Sequence, residues 1–199
     1  MKILNLTEED LDLGFSETPE IKETLELFKS LWETGKLVTY VHPKNSPKMS
    51  DVDYLLSLVE LRRLMKVKGD VATNLSSRLT TLNVSDELQQ RLADNLRPFF
   101  PEVNNVFSGS FWYRSDGFMG WHTNNNSPGI RMYVTYAEEP GKSYFRYFDD
   151  SLGEVKTSLD DLGWQFRIFK VSKTQPLWHC VKSQTNRLSF GLRLKDIVE

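Results

Sequence analysis

Residues 107–136 read FSGSFWYRSDGFMGWHTNNNSPGIRMYVTY, and within this stretch the spacing of apolar side chains changes. Upstream they recur three and four apart. From Phe107 onward aromatic and β-branched residues gather in short runs broken by Gly, Pro, Asn and Asp, the pattern of strands joined by turns. Worked outward, it predicts strands over 110–113, 130–136, 143–148, 165–171, 177–181 and 187–194. Side chains alternate along a strand. Trp121 precedes His122 and Trp178 precedes His179, so imidazoles that face inward leave both indoles facing outward. The last strand divides in the same way, with Leu188, Phe190 and Leu192 on one face and Arg187, Ser189 and Gly191 on the other.

The first hundred residues read mainly as helices. Thr18 caps a helix that has Pro19 in its first turn and Ile21, Leu25, Phe28, Leu31 and Trp32 on one face, ending at Gly35. A strand-like run covers 37–41, and 42–49 is a loop with two prolines. Ser50 or Asp51 opens a second helix, with Tyr54, Leu55, Leu58, Leu61 and Met65 as its stripe, closing near Gly69. A third follows Ser85, carries Leu88, Leu92 and Leu96, and stops before Pro98. These stripes read as core. The class expected is α+β: a double-stranded β-helix, or jelly roll, with an N-terminal helical buttress. One domain is expected over 1–199, with 1–106 as mainly helical support and 107–199 as the jelly-roll core, since no repeat, low-complexity segment or linker interrupts the chain.

Composition removes several function classes. The 199 residues are 39% hydrophobic and 26% charged, ordinary for a globular protein. Lys and Arg number 25 against 27 Asp and Glu, and the net charge of -2 implies no general pull toward nucleic acid or anionic membrane. The single cysteine, Cys180, makes no internal disulfide and reads as a small core residue. The start turns acidic by Glu8 and Glu9 without a signal-like apolar run, and no stretch approaches the roughly 18 apolar residues of a membrane span. A cytoplasmic location is expected.

Chemistry concentrates in few residues. Of three histidines, His42 precedes Pro43 in a turn-rich stretch and reads as structural. His122 and His179 flank a run of strands long enough to go out and back, so both rings can reach one ion. Two imidazoles and one side-chain oxygen make a facial triad that leaves iron with open positions, and Asn124 stands where the oxygen is needed. Arg187 can grip a carboxylate through two charge-assisted hydrogen bonds, with Ser189 adding a third. Arg193, on the same face, is the second candidate anchor. Tyr113 reads as a donor to a bound acid or as core, Arg131 as a ligand contact or an ion-pair partner, and Gly191 as room for a ligand or relief of strand crowding. Asp116 reads as a replacement carboxylate or an exposed turn residue. The run 124–129 is a polar turn that also suits a pocket mouth. Phe111, Trp112, Tyr144, Phe145 and Tyr147 read as core at strand spacing, with base stacking as the other use.

The set His122, Asn124, His179, Arg187 and Ser189 resembles the motif of the iron(II) and 2-oxoglutarate-dependent oxygenases, H-x-D/E, a distal H, then R-x-S, over about residues 107 to 195. Four positions match, and Asn124 departs, because the family places a carboxylate there. The resemblance implies Fe(II) on His122, Asn124 and His179. It implies 2-oxoglutarate as co-substrate, with its far carboxylate on Arg187 and Ser189 and Tyr113 nearby. O2 is the oxidant, and the oxidised substrate is a small molecule, peptide or nucleobase. A neutral amide attracts a dication less than a carboxylate does. Three outcomes follow: a working oxygenase with a weaker ligand, a two-histidine centre with an added water or halide, or a jelly-roll binding module without turnover. The leading expectation is the oxygenase, with the binding module as the alternative. A cupin-type isomerase or hydrolase comes third.

Overall fold

The computed structural model describes residues 4–6, 18–41, 47–65, 76–101, 103 and 107–196. In chain order these form β1 (Leu4–Leu6), α1 (Pro19–Glu33), β2 (Val38–Val41), a 3-10 turn (Pro47–Ser50), α2 (Val52–Met65), β3 (Ser76–Leu82) and α3 (Asp86–Leu96). The second half consists of β4 (Phe107–His122), β5 (Gly129–Ala137), β6 (Ser143–Asp149), β7 (Glu154–Leu159), β8 (Gly163–Val171), β9 (His179–Ser183) and β10 (Arg187–Asp196). His42 and the expected close of the second helix near Gly69 lie outside the described residues. No described helix is long and apolar enough to cross a membrane.

Hydrogen bonding orders the strands β1-β8-β5-β10-β4-β9-β6-β7, with β3 alongside β4 and β2 alongside β3. The pairings are antiparallel throughout. The long β4 belongs to both halves of this order: its first part pairs with β10 and its last part with β9. Splitting β4 at its middle leaves β8-β5-β10-β4 and β4-β9-β6-β7, the two four-stranded sheets of a jelly roll. Five strand spacings separate β8 from β6, roughly 24 Å in a flat sheet. Yet Phe169 on β8 and Phe145 on β6 have ring centroids 5.3 Å apart. The sheet has therefore closed over itself, and those rings lie between its layers.

Local chemistry explains where β4 turns. Asp116 has φ 62, and a Cβ at Gly117 would stand 2.6 Å from the Arg114 carbonyl oxygen and 2.9 Å from that of Arg78. Only glycine permits so close a backbone approach. Beyond this corner β4 runs on to His122, much further than the aromatic cluster at 110–113 suggests.

The two outer faces are covered differently. Thr18 accepts a hydrogen bond from the Ile21 amide at the start of α1, and Ser85 accepts one from Leu88 at the start of α3; such caps satisfy otherwise orphaned amides. Ile21, Leu25, Phe28 and Trp32 of α1 share an apolar cluster with Leu92 and Leu96 of α3 and with Met132, Val134, Leu188, Phe190 and Leu192 of β5 and β10. The Phe28 and Phe190 centroids are 5.0 Å apart. Full burial of one such phenyl ring is worth about 2–3 kcal/mol. On the other sheet Leu55 and Leu58 of α2 pack with Trp121, Trp178 and Cys180, and the Trp121 indole donates to the Asp51 carbonyl at 3.0 Å. Both indoles thus sit on the face opposite the imidazoles, as alternation requires.

Three strands were not foreseen. The β3 segment is rich in Ser and Thr, and Arg78, at φ 49, interrupts its alternation beside a register shift. Strand β7 pairs only with β6 at the end of the order and is half-exposed, so it needs no apolar face. The three residues of β1 are too few to show a period.

Candidate metal centre and adjoining pocket

In the antiparallel pairing of β4 with β9, His122 and His179 stand directly opposite each other. Their ring centroids are 4.1 Å apart with planes inclined at 55°. His179 is fully buried and His122 nearly so. The Nδ1 atom of His122 lies 2.8 Å from the Gly120 carbonyl oxygen, and that of His179 lies 2.9 Å from the Leu177 carbonyl oxygen. A carbonyl only accepts, so each Nδ1 carries a proton, and Nε2 is the nitrogen that each ring has left to ligate a cation. Metal-ligating histidines are oriented by this kind of outer contact. Burial holds the His179 pKa well below its usual value; His122 and Arg131 add to the shift, and the Leu177 carbonyl opposes it. Phe145 stacks on the His179 ring at 5.3 Å and Phe169 flanks it at 5.7 Å.

Asn124 follows directly. It adopts φ 53, a left-handed conformation that asparagine tolerates, and its carbonyl accepts from the Ser127 amide at 3.1 Å to close a turn. The side chain is thereby carried back over β9, where Nδ2 lies 3.2 Å from Nε2 of His179. With Nδ1 protonated, Nε2 accepts, so the amide donates to the lone pair that a metal would use. Among the described residues no third His, Cys, Asp or Glu joins this pair. The donor set fits a divalent cation through two imidazoles and, once the amide turns over, Oδ1 of Asn124. It does not reproduce a two-histidine, one-carboxylate triad.

Asn124 also lines a pocket of about 160 Å³ with Ser108, Asn126, Ser127, Arg131, Tyr133 and Arg193. Arg131 and Arg193 are paired positions on β5 and β10. Arg131 is nearly fully buried and donates to the Ser127 carbonyl. Like charges directly opposite each other on neighbouring strands repel. Burial pushes the Tyr133 phenol up, while Arg131, Arg187 and a hydrogen bond with Asn124 pull it down.

Arg187 lies at the far end of the same β10 face, paired with Ala137 and Tyr113. It is fully buried. Its Nε donates to Asp160 Oδ2 at 2.7 Å and its Nη2 to Thr135 Oγ1 at 3.3 Å. The Tyr113 ring lies 5.1 Å from its guanidinium carbon. Arg167 Nη1 approaches Asp160 Oδ1 at 2.6 Å, and Ser143 also donates to Asp160. Burial alone would raise the Asp160 pKa; Arg187, then Arg167, overcome it and hold the carboxyl at about 2. Burial raises the Tyr113 phenol. Nη1 of Arg187 meets no acceptor among the described residues.

The remaining candidates divide clearly. Ser189 is buried opposite Thr135, one alternation along from Arg187. A Cβ at Gly191 would stand 2.7 Å from Ser108 Oγ and 3.1 Å from the Tyr133 ring, so the glycine makes room for protein atoms. The Asp116 side chain is 70% exposed, 3.9 Å from Arg78, and is a surface residue. Cys180 lies among the α2 contacts, away from the histidines. Sequence reading missed Asp160, whose neighbours Asp161, Leu162 and Gly163 look like a plain turn. The one available signal was the demand of an inward-facing arginine for a counter-charge. It also missed Ser108 and Tyr133.

No family model and no curated protein matches the chain. Among solved structures, a Pseudomonas putida prolyl-4-hydroxylase overlaps with a TM-score of 0.45 at 12% identity, covering 90% of this chain and 89% of that one. A Burkholderia pseudomallei oxidoreductase of the 2OG-Fe(II) oxygenase family gives 0.40 at 10%, with 68% and 76% covered. OsALKBH1 gives 0.40 at 10%, with 78% and 100% covered. Overlaps this loose carry no weight for function. The chain is a jelly-roll protein by its own strand order, and its interior holds a paired-histidine site.

Proposed function

We propose that the chain is an iron(II)/2-oxoglutarate-dependent oxygenase acting as one domain over 1–199, with a substrate of the small-molecule, peptide or nucleobase class. His122 and His179 hold the metal through Nε2, and Asn124 is the third donor. One observation carries the reading: two imidazoles stand in register, each with Nδ1 committed to a backbone carbonyl. Rings oriented through Nδ1 in this way have Nε2 to offer to a cation. When bound, the iron and its 2-oxo acid supply the oxidation: O2 gives one oxygen atom to the substrate and one to succinate, and carbon dioxide leaves.

The chain's own residues do the rest. Asn124 turns its amide, giving up the bond to His179 and presenting Oδ1. Phe145 and Phe169 keep water from the His179 ring. Arg187, Ser189 and Tyr113 form the inner wall, where Nη1 of Arg187 is the donor a co-substrate carboxylate can engage without displacing Asp160. The alternative, a binding module without turnover, draws on one feature: the Asn124 amide occupies the lone pair of His179.

Anaerobic titration with iron(II) and 2-oxoglutarate separates the two readings. The oxygenase gives the weak visible charge-transfer band of a chelated centre, and admission of O2 yields succinate. Folded protein that shows neither is the binding module.

A further inference from the structure

We propose that Tyr133 is a positioning residue of the centre: its hydroxyl accepts from the Asn124 amide nitrogen in the metal-free protein and donates to Asn124 Oδ1 once that oxygen faces a cation. The inference rests on His122, His179 and Asn124 being the donors to the metal, and it adds the group that orients the third of them. Three observations converge on it. First, the amide stands between two partners. Nδ2 of Asn124 lies 3.2 Å from Nε2 of His179, and the same side chain hydrogen-bonds the Tyr133 phenol. Burial pushes that phenol up, whereas the bond with Asn124 pulls it down, the effect of a donor on the phenol oxygen. The amide N–H groups therefore serve both acceptors.

Second, the amide is the movable part of this arrangement. The backbone at 124 is held at φ 53, with its carbonyl accepting from the Ser127 amide. The rings on either side share their walls. Phe169 lies 4.8 Å from the Tyr133 ring and 5.7 Å from the His179 ring, and Phe145 lies 6.0 Å and 5.3 Å from them. Half a turn about χ2 of Asn124 exchanges Nδ2 for Oδ1 in nearly the same place, and that end torsion is broad and two-fold.

Third, a phenol suits either orientation of the amide. A hydroxyl carries one donor and two acceptor sites and rotates to match its partner, whereas the imidazole lone pair only accepts. His179 alone thus draws Nδ2 inward, and Tyr133 is the partner that follows the amide when Oδ1 takes its place. Gly191 makes the contact possible. It stands opposite Tyr133 on β10, and a Cβ there would lie 3.1 Å from the Tyr133 ring. The glycine lets the ring lie where its hydroxyl, carried by β5, reaches the side chain that follows β4.

The test is the binding of cobalt(II), a spectroscopic stand-in for iron(II), to the metal-free full chain. Affinity is read by competition with a chromophoric chelator, and coordination by the visible bands of the bound ion. Tyr133→Phe keeps the ring and its contacts and removes the hydroxyl. Affinity should fall about tenfold or more, the usual cost of losing an outer partner of a ligand. In the Asn124→Ala background, where the amide is gone, adding Tyr133→Phe should change affinity by less than about twofold. The cobalt bands of Tyr133→Phe should shift toward those of Asn124→Ala. Melting curves establish that each variant is folded.

An equal loss in both backgrounds overturns the proposal, since the hydroxyl then acts without the amide. Unchanged or raised affinity in Tyr133→Phe overturns it as well, and so does a folded wild type that takes up no cobalt. The measurement uses neither 2-oxoglutarate nor O2. Coupling between positions 124 and 133 in a protein that forms no succinate therefore sinks the oxygenase reading and leaves the positioning role standing. Succinate formation by a protein whose two positions bind cobalt independently does the reverse.

Discussion

Strand β10 carries an arginine at each end of its inner face, roughly 20 Å apart along the strand, and the two ends are built for different work. At the Arg187 end the cation is buried, and Asp160 lies between it and Arg167. At the Arg193 end a second arginine stands opposite, and both line an open polar pocket beside the histidine pair. The same residue type on the same strand face is thus an internal ion-pair partner in one place and part of the lining of a polar pocket in the other. The difference lies in what the facing segments bring: 159–161 delivers a carboxylate, while 124–127 delivers amides and a hydroxyl. A motif position shows that a cation is present without showing what the fold sets beside it.

Breaking the inner cluster should have the largest effect. Asp160→Asn leaves two buried guanidiniums without a counter-charge and should cost about 3–5 kcal/mol, read from denaturant unfolding. A cost below about 1 kcal/mol would show that this end is not structural. The pH dependence sharpens the point. The folded pKa of Asp160, about 2, lies below the ordinary 3.8, so its contribution is fully present above about pH 4 and fades as pH falls toward 2. Wild type and Asp160→Asn should accordingly differ by a constant amount above pH 4 and converge below it.

At the opposite end, Asn124→Asp restores a carboxylate beside the histidines and should tighten iron(II) binding by about tenfold or more, measured by competition with a chromophoric chelator. Unchanged affinity would mean that position 124 does not face the metal. Thr135→Val removes an acceptor from Arg187 while preserving shape, and about 1 kcal/mol of stability should go with it. Smallest is the stability effect of Arg193→Gln, within about 0.5 kcal/mol. A large drop in melting temperature for that variant would put both ends in the same structural role and dissolve the contrast.

Some of this architecture was legible residue by residue. Thr18 and Ser85 declared helix starts because a hydroxyl before an apolar stripe has one good use. Trp121–His122 and Trp178–His179 declared which face was inward because alternation leaves no other choice for neighbours. Strand β3 was not legible, since a bulge at Arg78 resets the period and its residues are Ser and Thr. Asp160 was not, because a carboxylate in a turn looks the same whether it faces solvent or closes on two arginines from β8 and β10.

Local patterns depend on neighbours a few residues apart, so the sequence alone determined the helices, most of the strands, and two inward-facing histidines. The tertiary structure decided which charges meet. It set Asp160 between Arg167 and Arg187, brought Arg131 opposite Arg193, and turned the Asn124 amide onto His179. Those contacts join distant segments through sheet register and chain closure, and a change in either would exchange the partners while leaving every local pattern intact.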